Sequence, residues 1–178
     1  IDEEILKIEE KNNIKFTNVK VVANLPYYIT TPIIFKLLQD SKRISEVIVM
    51  VQKEVAQRMV AQSNTKDYGI LTLMVQYLSE ASIAFLVPKE SFIPAPNVTS
   101  AIIVLKKNKK YKVKNEEVFI KLVHCAFAQR RKTMINSLFS TNFKNLSKEE
   151  LNILFEKLDI DKNVRAEQLD INDFIRIC

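Results

Sequence analysis

Apolar positions along the first 111 residues alternate between short continuous runs and helical spacings. The runs at 19–23, 47–51, 81–87 and 100–105 predict strands, and the spacings at 33–38, 54–62 and 70–78 predict helices. Strands that alternate with helices indicate an α/β sheet. The last two strands, joined by an irregular loop that contains Pro88, Pro94 and Pro96, predict an antiparallel pair at the end of that sheet.

From residue 112 onward the pattern is helical only. One apolar face is predicted behind a helix cap at Asn115, formed by Val118, Phe119, Leu122, Val123 and Ala126. Ser147 and Glu150 have the spacing of a capping box, and Ile171, Phe174 and Ile175 predict the inner face of a last helix. We therefore predict two domains, an α/β domain over 1–111 and a small helical domain over 112–178.

The segment Asn24-Leu25-Pro26-Tyr27 follows the first predicted strand and precedes a helix start with a possible cap at Thr31. Ligands of open α/β sheets bind at this end of the strands. The Asn24 side chain and a backbone carbonyl near Pro26 can accept hydrogen bonds from an exocyclic amino group. Tyr27 offers a face for a base removed from its stack. The residue types suit methyl transfer to an adenine amino group, although the four residues alone favour an ordinary strand-to-helix turn.

The chain carries 27 Lys and Arg against 21 Asp and Glu, for a net charge of +6. Part of the excess is a local lysine run, which comprises Lys106, Lys107, Lys109, Lys110, Lys112 and Lys114. Clustered lysines contact nucleic-acid phosphates without reading sequence, or they form a solvated linker. A second cluster, Arg130, Arg131 and Lys132, precedes a predicted helix, so an RNA phosphate or an internal acid such as Glu167 is expected to offset it.

Other chemistries find little support. Cys125, Cys178 and His124 lack the spacing of metal ligands, so we predict neither a metal nor a disulfide. No apolar run reaches the length of a membrane span and no signal segment opens the chain. These features predict a soluble, cytoplasmic protein without membrane partners, expected to be a monomer.

Several motifs resemble, in order, the ribosomal RNA adenine N6-dimethyltransferase family of the KsgA/RsmA type and its Erm relatives. They are Asn24-Leu25-Pro26-Tyr27-Tyr28-Ile29 and the stretches 51–58, 68–69, 92–100, 127–133 and 165–169. The resemblance implies a Rossmann-like class I methyltransferase sheet that uses S-adenosylmethionine, followed by a small helical domain. It makes Asn24, Leu25, Pro26 and Tyr27 the acceptor site, gives Asn24 a contact with the cofactor, and sets Phe92 opposite Tyr27 against the target base.

By this resemblance the expected substrate is a pair of adjacent adenosines in small-subunit (16S) ribosomal RNA. An Erm-type enzyme acting on large-subunit RNA is an alternative within the class, and a DNA adenine methyltransferase fits less well. A non-catalytic, RNA-binding ribosome-assembly factor is the alternative from another class.

A single glycine, Gly69, limits how much of such an enzyme the chain can contain. The cofactor loop of a Rossmann-like sheet needs glycines, because only glycine lets the backbone approach the cofactor closely. The chain also opens at Ile1-Asp2, a pair that follows a cofactor-binding acid in the family. We therefore expect a fragment that lacks the amino-terminal third and is inactive alone.

Overall fold

A computed structural model of the chain describes residues 1–108 and 110–178. These residues form two units, one of Ile1–Val60 with Leu78–Lys109 and the other of Ala61–Tyr77 with Lys110–Cys178. The second unit thus includes the segment Ala61–Tyr77, which the sequence analysis assigned to the α/β domain. The domain boundary near residue 111 stays a prediction.

The first unit is built on a four-stranded sheet with the order β1-β2-β4-β3. Its strands are β1 (Val19–Asn24), β2 (Ile44–Gln52), β3 (Ser79–Val87) and β4 (Ser100–Lys107). β1 and β2 are parallel, joined through helix α2 (Thr30–Asp40), and β4 is antiparallel to both β2 and β3. The β-branched residues of β2 and β4 are largely buried at the centre of the sheet, whereas β1 and β3 are edge strands. The four predicted strands and the antiparallel end are confirmed.

Helix α2 begins two residues earlier than Pro32, the first helical residue that a cap at Thr31 predicts. Its first residue is Thr30, and no side chain caps it, so the cap predicted at Thr31 is wrong. The Thr30 hydroxyl bonds backward to the Pro26 carbonyl instead. Pro32 lies in the first turn, where a helix needs no backbone N–H, so the proline is tolerated there.

Helix α1 (Asp2–Asn12) was not predicted. Its first turn is acidic and its last turn contains Lys11, both favourable to the helix dipole. Its buried residue is Glu9, which forms a bidentate ion pair with Arg43, and Asp2 accepts hydrogen bonds from Ser41 and from the Lys42 N–H. The guanidinium of Arg43 lowers the pKa of Glu9. Polar contacts hold this helix in place, so its sequence lacks the regular apolar spacing from which a helix is predicted.

Helix α3 (Lys53–Met59) follows β2 directly and is shorter than the predicted 54–62. Helix α4 (Ile70–Leu78) belongs to the second unit except for its last residue, Leu78. The other helices of this unit are α5 (Glu116–Phe127), α6 (Met134–Ser140), α7 (Lys148–Lys157) and α8 (Ile171–Ile177). The predicted cap at Asn115 and the capping box of Ser147 and Glu150 are both present. On α8, Ile177 rather than the predicted Ile175 is buried with Ile171 and Phe174.

Tyr68 lies in the core of this second unit, only 2% exposed, beside the ring of Phe127. Its hydroxyl has no hydrogen-bond partner among the described residues. Burial and, to a smaller extent, the carboxylates of Asp170 and Asp173 raise the pKa of Tyr68 well above its ordinary value. The hydroxyl therefore costs folding free energy in its neutral form and more when ionised.

We expect Tyr68→Phe to raise the free energy of unfolding by about 1 kcal/mol at neutral pH, because it removes a buried unsatisfied hydroxyl and keeps the ring. Because the pKa of Tyr68 is higher in the folded than in the unfolded protein, the free energy of unfolding falls as pH rises above the unfolded-state pKa near 10. Tyr68→Phe should therefore also weaken the alkaline loss of stability. Urea denaturation at pH 7 and pH 11 measures both effects, and Tyr77→Phe is the control at neutral pH. A destabilised Tyr68→Phe protein at pH 7 would show that the hydroxyl is satisfied.

Candidate active site

The turn after β1 lies at the carboxyl end of a parallel strand pair. Asn24 is the last residue of β1 and is in register with Met50 of β2. The Asn24 side chain is exposed and forms no hydrogen bond with any residue that the structure describes. An amide at this position is therefore available to a ligand above the sheet.

Two internal hydrogen bonds shape the turn and decide which carbonyl remains available. The Pro26 carbonyl accepts from the Ile29 N–H at 3.2 Å and from the Thr30 hydroxyl at 2.9 Å. Both of its lone pairs are thus used. The Leu25 carbonyl has no such bond among the described residues, and it follows directly after Asn24. Of the backbone carbonyls near Pro26, the Leu25 carbonyl is therefore the one left available, whereas the Pro26 carbonyl is used inside the turn.

Tyr27 is held by its hydroxyl, which lies 2.6 Å from the hydroxyl of Ser100. Ser100 is fully buried and is the first residue of β4, so it fixes the tyrosine to the central sheet. Sequence reasoning missed this role of Ser100, although the residue closes the 92–100 stretch that resembles the family. The next residue of the motif, Tyr28, is 88% exposed and does not line the cavity described below.

A shallow, open cavity of about 230 Å³ lies at this turn. It is lined by the four residues of the turn and by Met50, Phe92, Pro94 and Pro96. The structure thus brings Phe92 to the same cavity as Tyr27, as the sequence analysis expected. A cavity with two aromatic side chains and two adjacent acceptors suits one flat base with an exocyclic amino group.

The described residues supply only part of a cofactor site. The Asn24 amide, which none of them engages, fits a polar group of S-adenosylmethionine. The glycine-rich turn that such a cofactor needs has no counterpart among them, since Gly69 lies in the second unit, ahead of α4. The residues of this turn fit the part of a methyl-transfer site that binds the methyl acceptor. Among the described residues, the remainder of the cofactor has no evident ligands.

The two basic clusters differ in how far their side chains are already engaged. Arg130 donates to the carbonyls of Lys66 and Tyr68 and pairs with Glu167 at 3.4 Å. The internal partner predicted for this cluster is thus present. Arg131 and Lys132 are exposed, and within the described part of the chain no bond engages either side chain.

The lysine run begins inside β4, because the strand extends to Lys107. Lys106 is exposed and in register with Glu46 and Glu80, whereas Lys107 donates to the Ser41 carbonyl. Lys110 lies over the ring of Tyr111. Lys109 lies outside the described residues. The run is therefore not a uniform solvated linker.

Neither a metal site nor a membrane span is found in the described sequence. Across residues 1–108 and 110–178, no group of three or more His, Cys, Asp or Glu side chains could hold a metal ion. No helix within those ranges is long and apolar enough to cross a membrane.

The mixed sheet, with a polar and aromatic turn after a parallel strand, fits a Rossmann-like methyltransferase sheet of class I, a fold that solved ribosomal RNA methyltransferases share. The chain belongs to the ribosomal RNA adenine dimethylase family, whose model matches residues 1–178. It is 44% identical over 98% of its length to the ribosomal RNA small subunit methyltransferase A of Clostridioides difficile. It is 48% identical over 89% of its length to the Geobacillus protein of the same name. The chain spans 62% and 55% of those two relatives, respectively.

Solved structures agree with this assignment. A dimethyladenosine transferase from Plasmodium falciparum superposes with a TM-score of 0.78 at 26% identity, covering 99% of this chain and 78% of that one. The 23S ribosomal RNA methyltransferase ErmE superposes with a TM-score of 0.64 at 20% identity, covering 99% of this chain and 77% of that one. The second likeness concerns the fold alone.

Proposed function

We propose that the full-length protein transfers methyl groups from S-adenosylmethionine to the amino groups of two adjacent adenosines in small-subunit (16S) ribosomal RNA, during ribosome biogenesis. The observation that carries this proposal is the pair of available acceptors, the Asn24 amide and the Leu25 carbonyl, at the edge of a cavity lined by Tyr27 and Phe92. Membership of the ribosomal RNA adenine dimethylase family supports adenine in ribosomal RNA as the substrate.

Each residue has a distinct task in this account. The Asn24 side-chain oxygen and the Leu25 carbonyl accept the two N–H bonds of the adenine amino group, which turns the nitrogen lone pair toward the methyl donor. Tyr27 and Phe92 hold the base after it has left its stack. S-adenosylmethionine supplies the methyl group when bound. No general base is needed at the amino group, because its proton leaves to water after transfer.

The choice of the small subunit rests on the relatives. The proteins from Clostridioides difficile and Geobacillus are named for the small subunit, and they are 44% and 48% identical to this chain. We expect a monomer that acts in the cytoplasm, where small subunits are assembled.

The proposed RNA contacts are Arg131 and Lys132 in the second unit and, separately, Lys106 in the first. All three side chains are exposed, and Arg131 and Lys132 can meet phosphates without first breaking an internal pair within the described chain. Contact of RNA with Arg130, Lys107, Lys109 and Lys110 stays a prediction.

Replacing both Arg131 and Lys132 by Ala is expected to weaken RNA binding and to lower its salt dependence. The slope of log affinity against log salt should fall by about 0.7 to 0.9 for each phosphate that the variant no longer neutralises. Binding titrations over a range of salt concentrations measure the slope. Arg130→Ala is the matched control: it removes an internal anchor, so stability should fall by about 1 kcal/mol while the slope changes less. An unchanged slope in the double variant would remove these residues from the RNA surface.

Nucleoside mass spectrometry tests the proposed reaction. Purified full-length protein is incubated with S-adenosylmethionine and immature small or large ribosomal subunits from cells that lack this modification. We expect N6,N6-dimethyladenosine in the small-subunit RNA only. Methylation of the large-subunit RNA would support the Erm-type alternative, and RNA binding without any methylated nucleoside would support an assembly factor.

A further inference from the structure

A second cavity, of about 310 Å³, lies in the same unit and has no part in the account above. It is lined by Gln52, Lys53, Glu54, Gln57, Val98 and Thr99. Its volume is at the lower end of small-molecule sites, large enough for one nucleobase.

The strand geometry sets this cavity beside the acceptor cavity. Met50 lines the acceptor cavity and Gln52 lines the second one. Residues two apart on a strand have side chains on the same face, about 7 Å apart. The loop before β4 contributes to both cavities as well, through Pro96 and Val98.

Backbone hydrogen bonds fix the walls of the second cavity. The N–H of Lys53 donates to the Thr99 carbonyl at 3.0 Å, and Gln52 is in register with Ser100 of β4. Ser100 is also the residue that holds Tyr27. The two cavities therefore share one support, at the place where β2 ends and β4 begins.

The side chains at this cavity favour a neutral base over a phosphate. Lys53 and Glu54 have opposite charges, so the lining has no net positive charge to attract an anion. Gln52 and Gln57 each offer a donor and an acceptor, and their side chains form no hydrogen bond with other described residues. Glutamine matches adenine with two hydrogen bonds, and unpaired RNA bases are read on such edges.

We propose that the cavity of Gln52, Gln57 and Val98 is a subsite for an adenine base on the nucleotide next to the target adenosine. The separation of about 7 Å along β2 exceeds the roughly 3.4 Å rise of a stacked strand, so the neighbouring base enters unstacked from the target. This proposal rests on the proposed function, and it gives that function a second point of sequence recognition.

The test uses RNA hairpins in which the neighbouring nucleotide carries adenine or is abasic, with affinity measured separately from methyl transfer. Full-length wild-type protein should prefer the adenine hairpin by about 5- to 150-fold. Gln57→Leu should lose most of this preference and bind the abasic hairpin as the wild type does. Gln39→Leu, an exposed glutamine on α2, is the matched control and should keep the preference.

Two results would overturn the subsite. Equal affinity of the wild type for both hairpins would show that no neighbouring base is read. If Gln57→Leu and Gln52→Leu both kept the preference for the adenine hairpin, other residues would have to recognise the neighbouring base. Because affinity does not require catalysis, loss of methyl transfer with an intact preference would instead count against the proposed reaction.

Discussion

Asn24→Ala is expected to reduce methyl transfer by at least about a hundredfold while RNA affinity stays within a fewfold of the wild type. In the proposed site the Asn24 amide is one of two acceptors for the target amino group, and loss of one positioned hydrogen-bonding group at a reaction centre costs about 100- to 1,000-fold in rate. RNA affinity comes mainly from phosphate contacts, which this change does not touch. Single-turnover transfer rates and RNA titrations of full-length protein separate the two effects.

Asn97→Ala is the matched control for that change. Asn97 is exposed in the loop between Phe92 and β4, but it does not line the acceptor cavity. We expect its rate and affinity to match the wild type. Equal losses of binding and rate in Asn24→Ala would contradict an orienting role and make Asn24 a structural residue of the turn.

Tyr27→Ala and Phe92→Ala are each expected to lower methyl transfer by about 5- to 150-fold, through loss of about 1 to 3 kcal/mol of stacking on the target base. The double variant should lose less than the product of the two single effects. In the proposed site both rings hold the same base, so the base is already less firmly held once the first ring has been removed. Methyl-transfer rates of the wild type, both single variants and the double variant complete this double-mutant cycle.

Tyr27→Phe distinguishes stacking from the hydroxyl contact. It keeps the ring and removes the 2.6 Å bond to Ser100, whose buried hydroxyl is left without this partner. We expect a loss of about 1 to 3 kcal/mol in stability and a smaller loss of rate than in Tyr27→Ala. A rate loss as large as that of Tyr27→Ala would show that the ring does not act by stacking alone.

The sheet was predictable because its signals are local. The apolar runs before Asn24 and around Val49 had the length and composition of strands, and the prolines marked the loop that brings Phe92 to the site. Helix α1 was not predictable in this way, since its anchor is the pair of Glu9 with Arg43, which are 34 residues apart. No spacing rule reports an ion pair over that distance.

The candidate site, like the fold, was only partly predictable from the sequence. Chemistry and resemblance predicted Asn24 and Tyr27 as site residues from the motif. Which of the Leu25 and Pro26 carbonyls is available depends on two hydrogen bonds from α2 and its preceding turn. The contact of Tyr27 with Ser100 spans 73 residues. The first of these facts is the local geometry of the turn after β1, and the second is the position of the first residue of β4 beside Tyr27. The apolar pattern of the sequence encodes neither.

A crystal structure of the full-length protein with an RNA hairpin that contains the target adenosine would show directly whether this turn holds the target base. We expect an unstacked adenine between Tyr27 and Phe92, with its amino nitrogen about 3 Å from both the Asn24 side-chain oxygen and the Leu25 carbonyl. An adenine bound elsewhere, or an amino group turned away from both acceptors, would contradict the assignment of this turn as the acceptor site.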